Sequence, residues 1–375
     1  MAKKKSAESA VKKDYPAIID TRLEQLKFTM EDLKVDAIAV TYVPNIRYLT
    51  NFSGSAATLF ITYDEIHFVT DDRYEEQIQD ELYQLPNLKT YITRDPWELI
   101  INKDIKKISQ LAFEADRLSY SGAVAIRNRL RPIKFKPAPN SVERFTVPKS
   151  PEEQQEIQKA CEISEKVYED ILKMVKPGVT EKELELEISY QTRKLGSEGD
   201  PFDIIVVSGP RSSIVHGTAT DRKIKKGDIV LFDFGCRING FVSDISRTVA
   251  VGKATKEQKD IYKMLVKAKE EAIKTVCPGM NGQTLDEAAR AIVRDAGYGD
   301  NFQHSLGHGI GLVAHEMPTI TFRKDDQIVP ENAVIAIEPG VYLPEKFGIR
   351  VEDDVLVTRS GGKHFTKAPE ELPVI

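Results

Sequence analysis

The stretches VKPGVTEKELELEI (residues 175–188) and VCPGMNGQTLDEAARAI (residues 276–292) resemble each other. Each has a Pro-Gly pair after a helix-like segment, then a Thr-x-x-Glu capping box, and then a further helical pattern. The predicted capping boxes are Thr180/Glu183 and Thr284/Glu287. Because repetition within a chain indicates repeated structural units, these two stretches predict that this part of the chain is duplicated.

The repeat continues downstream of both stretches. A His-Gly pair and two acidic residues follow the first stretch, and the same three features follow the second. The equivalent pairs are His216 and His308, Asp233 and Glu338, and Asp244 and Glu352. The sequence therefore predicts two related halves that face each other around a pseudo-two-fold axis.

A different pattern precedes the repeat. Five short apolar or β-branched runs (DAIAVT, TLFIT, EIHFVT, KTYIT and QLAFEA) alternate with helix-like stretches, which predicts an α/β domain over residues 14–140. The proline-rich stretch at 131–151 is interpreted as an interdomain linker. The second domain, residues 150–375, then begins with a helix that Ser150 caps, with Pro151 at its first position and Glu153 completing the capping box.

Composition excludes several classes of protein. The chain has 375 residues, with 53 basic and 58 acidic side chains, so it carries no polybasic surface for nucleic acid. We expect the basic N-terminal stretch MAKKKSAESAVKKD to be a solvated lead-in. No apolar run approaches the length of a membrane span, and the three dispersed cysteines suggest no disulfide framework. A cytoplasmic protein without membrane or nucleic-acid partners is expected.

The acidic residues of the repeat stand where carboxylates are costly. Asp233 lies in the apolar run IVLFDFG, and Glu338 follows the apolar run AVIAI. An unpaired carboxylate in such a buried strand would be strongly destabilising or remain protonated. Asp244 and Glu352 lie on strands with alternating patterns, whereas the neighbouring acids at 353 and 354 are interpreted as solvated strand-end charges.

Four converging carboxylates require cations. Two divalent ions match their charge, with an imidazole as an added ligand, and an oxygen-rich set favours Mn²⁺, with Co²⁺ or Zn²⁺ as alternatives. Paired ions of this kind acidify a bridging water and polarise a carbonyl, which points to a hydrolase. The kinase, nucleotide-binding, H-E-x-x-H and G-x-S-x-G signatures are absent or incomplete in the sequence.

The second domain resembles the pita-bread-fold metallopeptidases, which include aminopeptidase P, prolidase and methionine aminopeptidase. Their ligand order of Asp, Asp, His, Glu and Glu is matched in full. The matching residues are Asp233 in DFG, Asp244 in SDISRT, His308 in GHGIG, Glu338 in EPGVY and Glu352 in IRVEDD. The first domain is similar to the N-terminal domain of the proline-specific members through NIRYLTNFSGSAATLF and TDDRYEEQ. The resemblance implies an α/β N-terminal domain followed by an α+β pita-bread catalytic domain.

The resemblance also implies roles for these residues. Asp244 and Glu352 bridge the two metals, Asp233 holds one metal, and His308 and Glu338 hold the other. Glu338 accepts the proton of the attacking water. The implied substrate-pocket residues are His216, His304 and His315, with Arg350 and Tyr342 supporting the bridging carboxylate and the substrate.

The implied reaction is removal of an N-terminal residue that precedes proline, as in aminopeptidase P, with peptides bearing proline at the second position as substrates. The alternative is prolidase, which cleaves Xaa-Pro dipeptides and needs a group for the free carboxylate; Arg350 could serve in either enzyme. Methionine aminopeptidase ranks third. Non-catalytic pita-bread binding proteins and creatinase-like amidinohydrolases are disfavoured because all five ligands are retained. Relatives are commonly dimers, so a homodimer is expected.

Overall fold

The structure is a computed structural model, and it describes residues 18–323 and 327–375. The predicted lead-in, residues 1–14, lies outside the described residues. The chain divides into two compact units, the first ending at Phe145 and the second running from Thr146 to Ile375. Within the described residues, every helix is too short or too polar to cross a bilayer.

The first unit is built on one mixed sheet of six strands, in the order β4-β3-β2-β1-β5-β6. The strands are β1 (Ala37–Val40), β2 (Ala57–Thr62), β3 (Ile66–Thr70), β4 (Leu88–Ile92), β5 (Gln110–Phe113) and β6 (Lys134–Pro137). The helices are α1 (Ile18–Leu33), α2 (Val43–Thr50), α3 (Gln77–Glu81), α4 (Glu98–Ile101), α5 (Tyr120–Arg129) and α6 (Glu143–Thr146). All five predicted strands are present. The linker interpretation is wrong for β6, because it pairs in parallel with β5 and completes the sheet.

The second unit contains small antiparallel sheets and four long helices. Its helices are α7 (Pro151–Leu172), α8 (Glu181–Lys194), α9 (Lys256–Thr275) and α10 (Gly282–Asp295). A three-stranded sheet in the order β11-β8-β7 comprises β7 (Ile205–Ser208), β8 (Ile229–Phe234) and β11 (Ile245–Ala250). A five-stranded sheet in the order β14-β13-β16-β19-β20 comprises β13 (Gly307–Gly309), β14 (Glu316–Ile320), β16 (Val334–Ile337), β19 (Asp353–Thr358) and β20 (Gly361–His364). Two-stranded pieces are formed by β9 (Arg237–Ile238) with β10 (Phe241–Val242), β12 (Met280–Asn281) with β15 (Ile328–Val329), and β17 (Gly340–Leu343) with β18 (Phe347–Arg350).

Local capping chemistry explains where the long helices begin. Ser150 and Thr180 each accept a hydrogen bond from the third helical residue, whose glutamate returns one, so both predicted capping boxes are confirmed. The predicted box at Thr284 is wrong. Asn281 caps α10 instead, because its side chain accepts a hydrogen bond from Gln283 N two residues later.

The predicted duplication is visible in the order of elements. In each half two long helices precede a small antiparallel sheet: α7 and α8 with β8 and β11, then α9 and α10 with β16 and β19. The halves are joined by hydrogen bonds, including Glu352 N to Ser246 O at 3.2 Å and Thr248 Oγ1 to Arg350 O at 2.8 Å. The acidic residues of the repeat lie along this junction.

Candidate metal centre and active site

The four carboxylates occupy equivalent places on the two sheets. Asp233 is on β8 opposite Ser246 of β11, and Glu338 directly follows the equivalent strand β16. Asp244 directly precedes β11, and Glu352 directly precedes β19. Because the two halves face each other, strand ends that are far apart in sequence bring their acidic side chains together.

His308 supplies the imidazole of the group. It is the central residue of β13, and its Nε2 lies 3.8 Å from Asp244 Oδ2 and 3.7 Å from Glu338 Oε1. Ligand atoms of Asp244, His308 and Glu352 lie within 4.8 Å of one another. The His308 Nδ1 lies 3.2 Å from the carbonyl oxygen of Gly309, which assigns the ring proton to Nδ1 and the lone pair to Nε2. Burial lowers the pKa of His308 to about 3, so the ring is neutral and suited to metal.

The carboxylates repel one another in a buried setting. Burial, reinforced by Glu352 and Asp233, raises the pKa of Asp244 well above its usual value. Burial likewise raises the pKa of Glu352, with Glu338 as the largest charge contribution, and raises the pKa of Glu338 to about 8. All three carboxyl groups therefore favour the protonated form unless a cation compensates their charge.

Two unpaired oxygens test whether these residues fit a metal. Asp233 Oδ1 and Glu352 Oε2 are buried and have no hydrogen-bond partner. Buried polar atoms nearly always have partners, so orphaned carboxylate oxygens at the centre of an acidic cluster are positions that cations would fill. The oxygen-rich donor set with one imidazole suits divalent ions of the Mn²⁺, Co²⁺ and Zn²⁺ group.

Arg350 organises one side of the site. Its side chain is 2% exposed and pairs with Asp233 through Nη2, while Nε donates to Ser246 Oγ at 2.7 Å. Nη1 donates to the Tyr342 hydroxyl at 2.8 Å and also meets Val215 O at 3.3 Å. Arg350 therefore has protein partners for all three of its guanidinium nitrogens.

Tyr342 links Arg350 to His304 through its hydroxyl group. The Tyr342 hydroxyl lies 2.9 Å from His304 Nε2, and His304 Nδ1 lies 2.8 Å from Ser305 O. Because a carbonyl can only accept, Nδ1 carries the proton, Nε2 accepts, and Tyr342 donates. Burial lowers the pKa of His304 to about 3, which agrees with a neutral ring. Both ring nitrogens thus have partners within the protein, so His304 meets the cleft through its ring.

His216 and His315 are both exposed. The ring centroids of His315 and His308 are 4.2 Å apart, which places His315 against the candidate metal ligands. Although the His315 side chain is exposed, packing against the protein on one side desolvates its ring, which lowers its pKa and favours the neutral imidazole.

The interpretation of Asp353 and Asp354 as solvated charges is wrong, because both are fully buried. Asp353 pairs with Lys269 and with Arg247, which lies on β11 of the other half. Asp354 accepts a hydrogen bond from Asp244 N at 2.9 Å and another from the Cys161 thiol. These acids hold the ligand-bearing strand ends from behind, a role that only the packed structure reveals.

A second group with the chemistry of a metal site proves to be an ion-pair network. Atoms of Glu270, Asp353 and His364 also lie within 4.8 Å of one another. Lys269, however, is fully buried beside them, contacts Asp353 and lies 3.2 Å from Glu270. Its ammonium already supplies the positive charge that these carboxylates require.

Comparison with known proteins identifies the family. Residues 155–359 match the model of metallopeptidase family M24, and residues 22–176 match the model of the Creatinase/Prolidase N-terminal domain. The chain belongs to metallopeptidase family M24. It is accordingly a hydrolase, and the expected arrangement of a creatinase-like N-terminal domain followed by a pita-bread catalytic domain is confirmed.

Three similar proteins cover nearly the whole chain. The Xaa-Pro dipeptidase of Pyrococcus furiosus is 34% identical over 351 residues, which span 94% of this chain and 99% of that protein. The structure of an Xaa-Pro dipeptidase from Bacillus anthracis has a TM-score of 0.90 at 34% identity, covering 95% of this chain and 100% of that one. The structure of an X-Pro aminopeptidase from Thermotoga maritima has a TM-score of 0.86 at 34% identity, covering 94% and 99%.

Proposed function

We propose that this protein is a dimetal Xaa-Pro dipeptidase, which hydrolyses the bond before proline in dipeptides. The observation that carries a metal-dependent reaction is the buried cluster of carboxylates in which Asp233 Oδ1 and Glu352 Oε2 lack partners. The Xaa-Pro preference rests on similarity to two dipeptidases at 34% identity. The sequence favoured aminopeptidase P over prolidase, and these relatives reverse that order.

The proposed ligand set follows the equivalence of the two halves. Asp244 and Glu352 would bridge two divalent ions, Asp233 would complete one site, and His308 and Glu338 would complete the other. When bound, such ions polarise the scissile carbonyl and lower the pKa of water. We propose Mn²⁺ as the native metal, with Co²⁺ or Zn²⁺ as alternatives, because carboxylate oxygens outnumber imidazole nitrogens in the set.

The surrounding side chains are assigned to proton transfer, to hydrogen bonding with the substrate and to the shape of the site. Glu338 has a partly exposed carboxylate 3.9 Å from Arg350 Nε, where it can take the proton of the attacking water. His315 donates a hydrogen bond to the oxygen of the scissile carbonyl as negative charge develops there. His216 borders the proline side of the substrate. His304 and Tyr342 shape the cleft wall rather than accept protons.

Metal removal tests the mechanism. Protein stripped with a chelator should lose turnover of Leu-Pro and regain it when Mn²⁺ is added, because without the ions nothing polarises the scissile carbonyl or lowers the pKa of water. The Asp244→Ala variant should stay inactive after the same addition, since a bridging ligand is lost. Full activity of the stripped protein would rule out the proposed mechanism.

Substrate length separates the two candidate activities. A dipeptidase should cleave Leu-Pro with kcat/KM at least about 100-fold above that for Arg-Pro-Pro, because its site is built around the free carboxylate. Efficient release of arginine from the tripeptide would instead assign aminopeptidase P, an activity that the Thermotoga maritima relative makes the second candidate. Both peptides are compared on the same metal-loaded preparation.

We also propose that the enzyme is a cytoplasmic homodimer. Its three cysteines are free, and Cys277 is an exposed thiol, which suits a reducing compartment. Light scattering coupled to size-exclusion chromatography would test the dimer directly, with about 84 kDa expected from two chains of 42.2 kDa.

A further inference from the structure

Lys149 is a buried cation whose ammonium is fully engaged. Its side chain is 1% exposed, and Nζ donates to Glu316 Oε1 at 2.6 Å. The same Nζ donates to the carbonyl oxygens of Thr146 at 2.6 Å and Val147 at 3.0 Å. An ammonium has three donors, so these three acceptors fix its position completely. None of these partners belongs to the proposed metal-ligand set.

Glu316 connects this cation to the loop that carries His315. While Oε1 receives the Lys149 ammonium, Oε2 accepts a hydrogen bond from Leu312 N at 3.1 Å. Glu316 is the first residue of β14, and His315 is the residue immediately before it. The carboxylate therefore closes the turn between β13 and β14 directly beside the exposed imidazole.

The rest of this loop is held on its other side. Gly311 O accepts a hydrogen bond from Val242 N at 2.8 Å, and Leu312 O accepts one from Arg237 Nη1 at 3.1 Å. These contacts fix the carbonyls of the loop, whereas the Leu312 N–H depends on Glu316. The contacts from Val242 and Arg237 and the contact from Glu316 together hold the loop that precedes His315, and so set its position.

Gly311 shows how tightly the ion pair is seated. A Cβ at this position would lie 2.6 and 2.7 Å from the two Glu316 carboxylate oxygens and 2.7 Å from Lys149 Cε. Such distances are too short for any side chain without displacing the pair. The glycine leaves the space that the Lys149–Glu316 pair fills.

We infer that Lys149 is a positioning residue: it fixes Glu316, and through Glu316 the loop that presents His315 to the substrate. A buried pair of this kind is seldom a net gain in stability over apolar side chains, but it holds its two partners in one geometry. The inference rests on the role proposed for His315. For the size of the effect we take about 10- to 100-fold in activity, the range found for residues that orient metal ligands.

A double-mutant cycle tests the inference with Leu-Pro as substrate and Mn²⁺-loaded full-length protein. Lys149→Met should lower kcat about 10- to 100-fold with little change in KM. The same substitution in a His315→Ala background should have almost no further effect, because the group it positions is gone. Lys173→Met is the matched control, since Lys173 is 72% exposed and should leave kcat unchanged.

Gly311→Ala provides a second route to the same answer, because it displaces Glu316 while retaining both charges, and it serves if Lys149→Met does not fold. The visible spectrum of Co²⁺-loaded protein should be unchanged in both variants, since the ligands do not contact Lys149. Independent, multiplicative losses in the cycle would overturn the inference and leave the proposed function intact. Full activity of His315→Ala would overturn both the role of His315 and the inference.

Discussion

At the scale of single residues, Arg350 donates its hydrogen bonds to partners within the protein. Its guanidinium reaches Asp233, Ser246 and the Tyr342 hydroxyl while its side chain is 2% exposed. A planar guanidinium offers donors in fixed directions, so each partner constrains the next. The resulting chain of hydrogen bonds, from Arg350 through Tyr342 to His304, fixes which atom donates and which accepts in each contact.

Tyr342→Phe should break this chain of hydrogen bonds. The substitution leaves the buried His304 Nε2 without its donor, at a cost of about 1–3 kcal/mol in the free energy of unfolding, and kcat should fall about tenfold. Tyr168→Phe is the matched control, because the buried Tyr168 hydroxyl has no hydrogen-bond partner. Urea unfolding and steady-state kinetics check both variants. An equal effect of the two substitutions would contradict the hydrogen-bonded chain.

The sequence predicted the candidate ligands better than their supports. Asp233 and Glu338 stand out because a carboxylate in an apolar run is locally conspicuous. Asp353 and Asp354 did not, because their partners Lys269, Arg247 and Cys161 come from three other elements and leave no local trace. Pairing across long sequence separations is a property of the packed molecule.

At the scale of elements, β13 is a central strand that glycines make possible. A Cβ on Gly307 would lie 1.9 Å from Ala336 O of β16, and one on Gly309 would lie 2.0 Å from Met317 O of β14. The structure places their closest approaches at the neighbouring strands, which hold His308 between them.

Gly307→Ala should therefore destabilise the second unit. Its methyl group would meet a backbone carbonyl, which cannot move aside as a side chain can, so we expect a loss of at least about 2 kcal/mol in the free energy of unfolding. Gly199→Ala is the control, because its nearest neighbour is a flexible arginine end at 3.7 Å. Thermal unfolding of metal-free protein measures both; unchanged stability of Gly307→Ala would contradict the tight strand packing.

Element boundaries followed from the sequence where local chemistry sets them. Ser150 and Thr180 cap their helices as predicted because a hydroxyl and a glutamate three residues later satisfy each other. Thr284 does not, because Asn281 offers a side-chain acceptor three residues earlier and α10 begins there. The sequence analysis assigned β6 to the linker because its own residues show no strand pattern. It becomes an edge strand by pairing with β5, and that partner cannot be read from the β6 sequence.

At the scale of the whole molecule, the buried acids and the buried histidines have opposite effects on how the free energy of unfolding changes with pH. Burial raises the pKa of Glu338 and of Asp354 to about 8 and lowers the pKa of His304 and of His308 to about 3. A raised carboxyl pKa means that the folded protein holds protons that the unfolded chain releases, so stability falls as pH rises towards 8. A lowered histidine pKa means that stability falls as pH drops below 6.5.

Between pH 6.5 and 8 the histidines of the unfolded chain pass from about half protonated to largely neutral, so the acids, which are almost wholly ionised in the unfolded chain, dominate. Metal-free protein should therefore lose stability across this window, by up to about 1.4 kcal/mol per pH unit for each proton released. Metal-loaded protein should show little of this slope, because cations hold the carboxylates ionised. Consequently Mn²⁺ should raise the melting temperature more at pH 8 than at pH 6.5. Glu338→Gln should flatten the metal-free slope, since it removes one of the titrating acids, and an unaltered slope would show that other groups cause it.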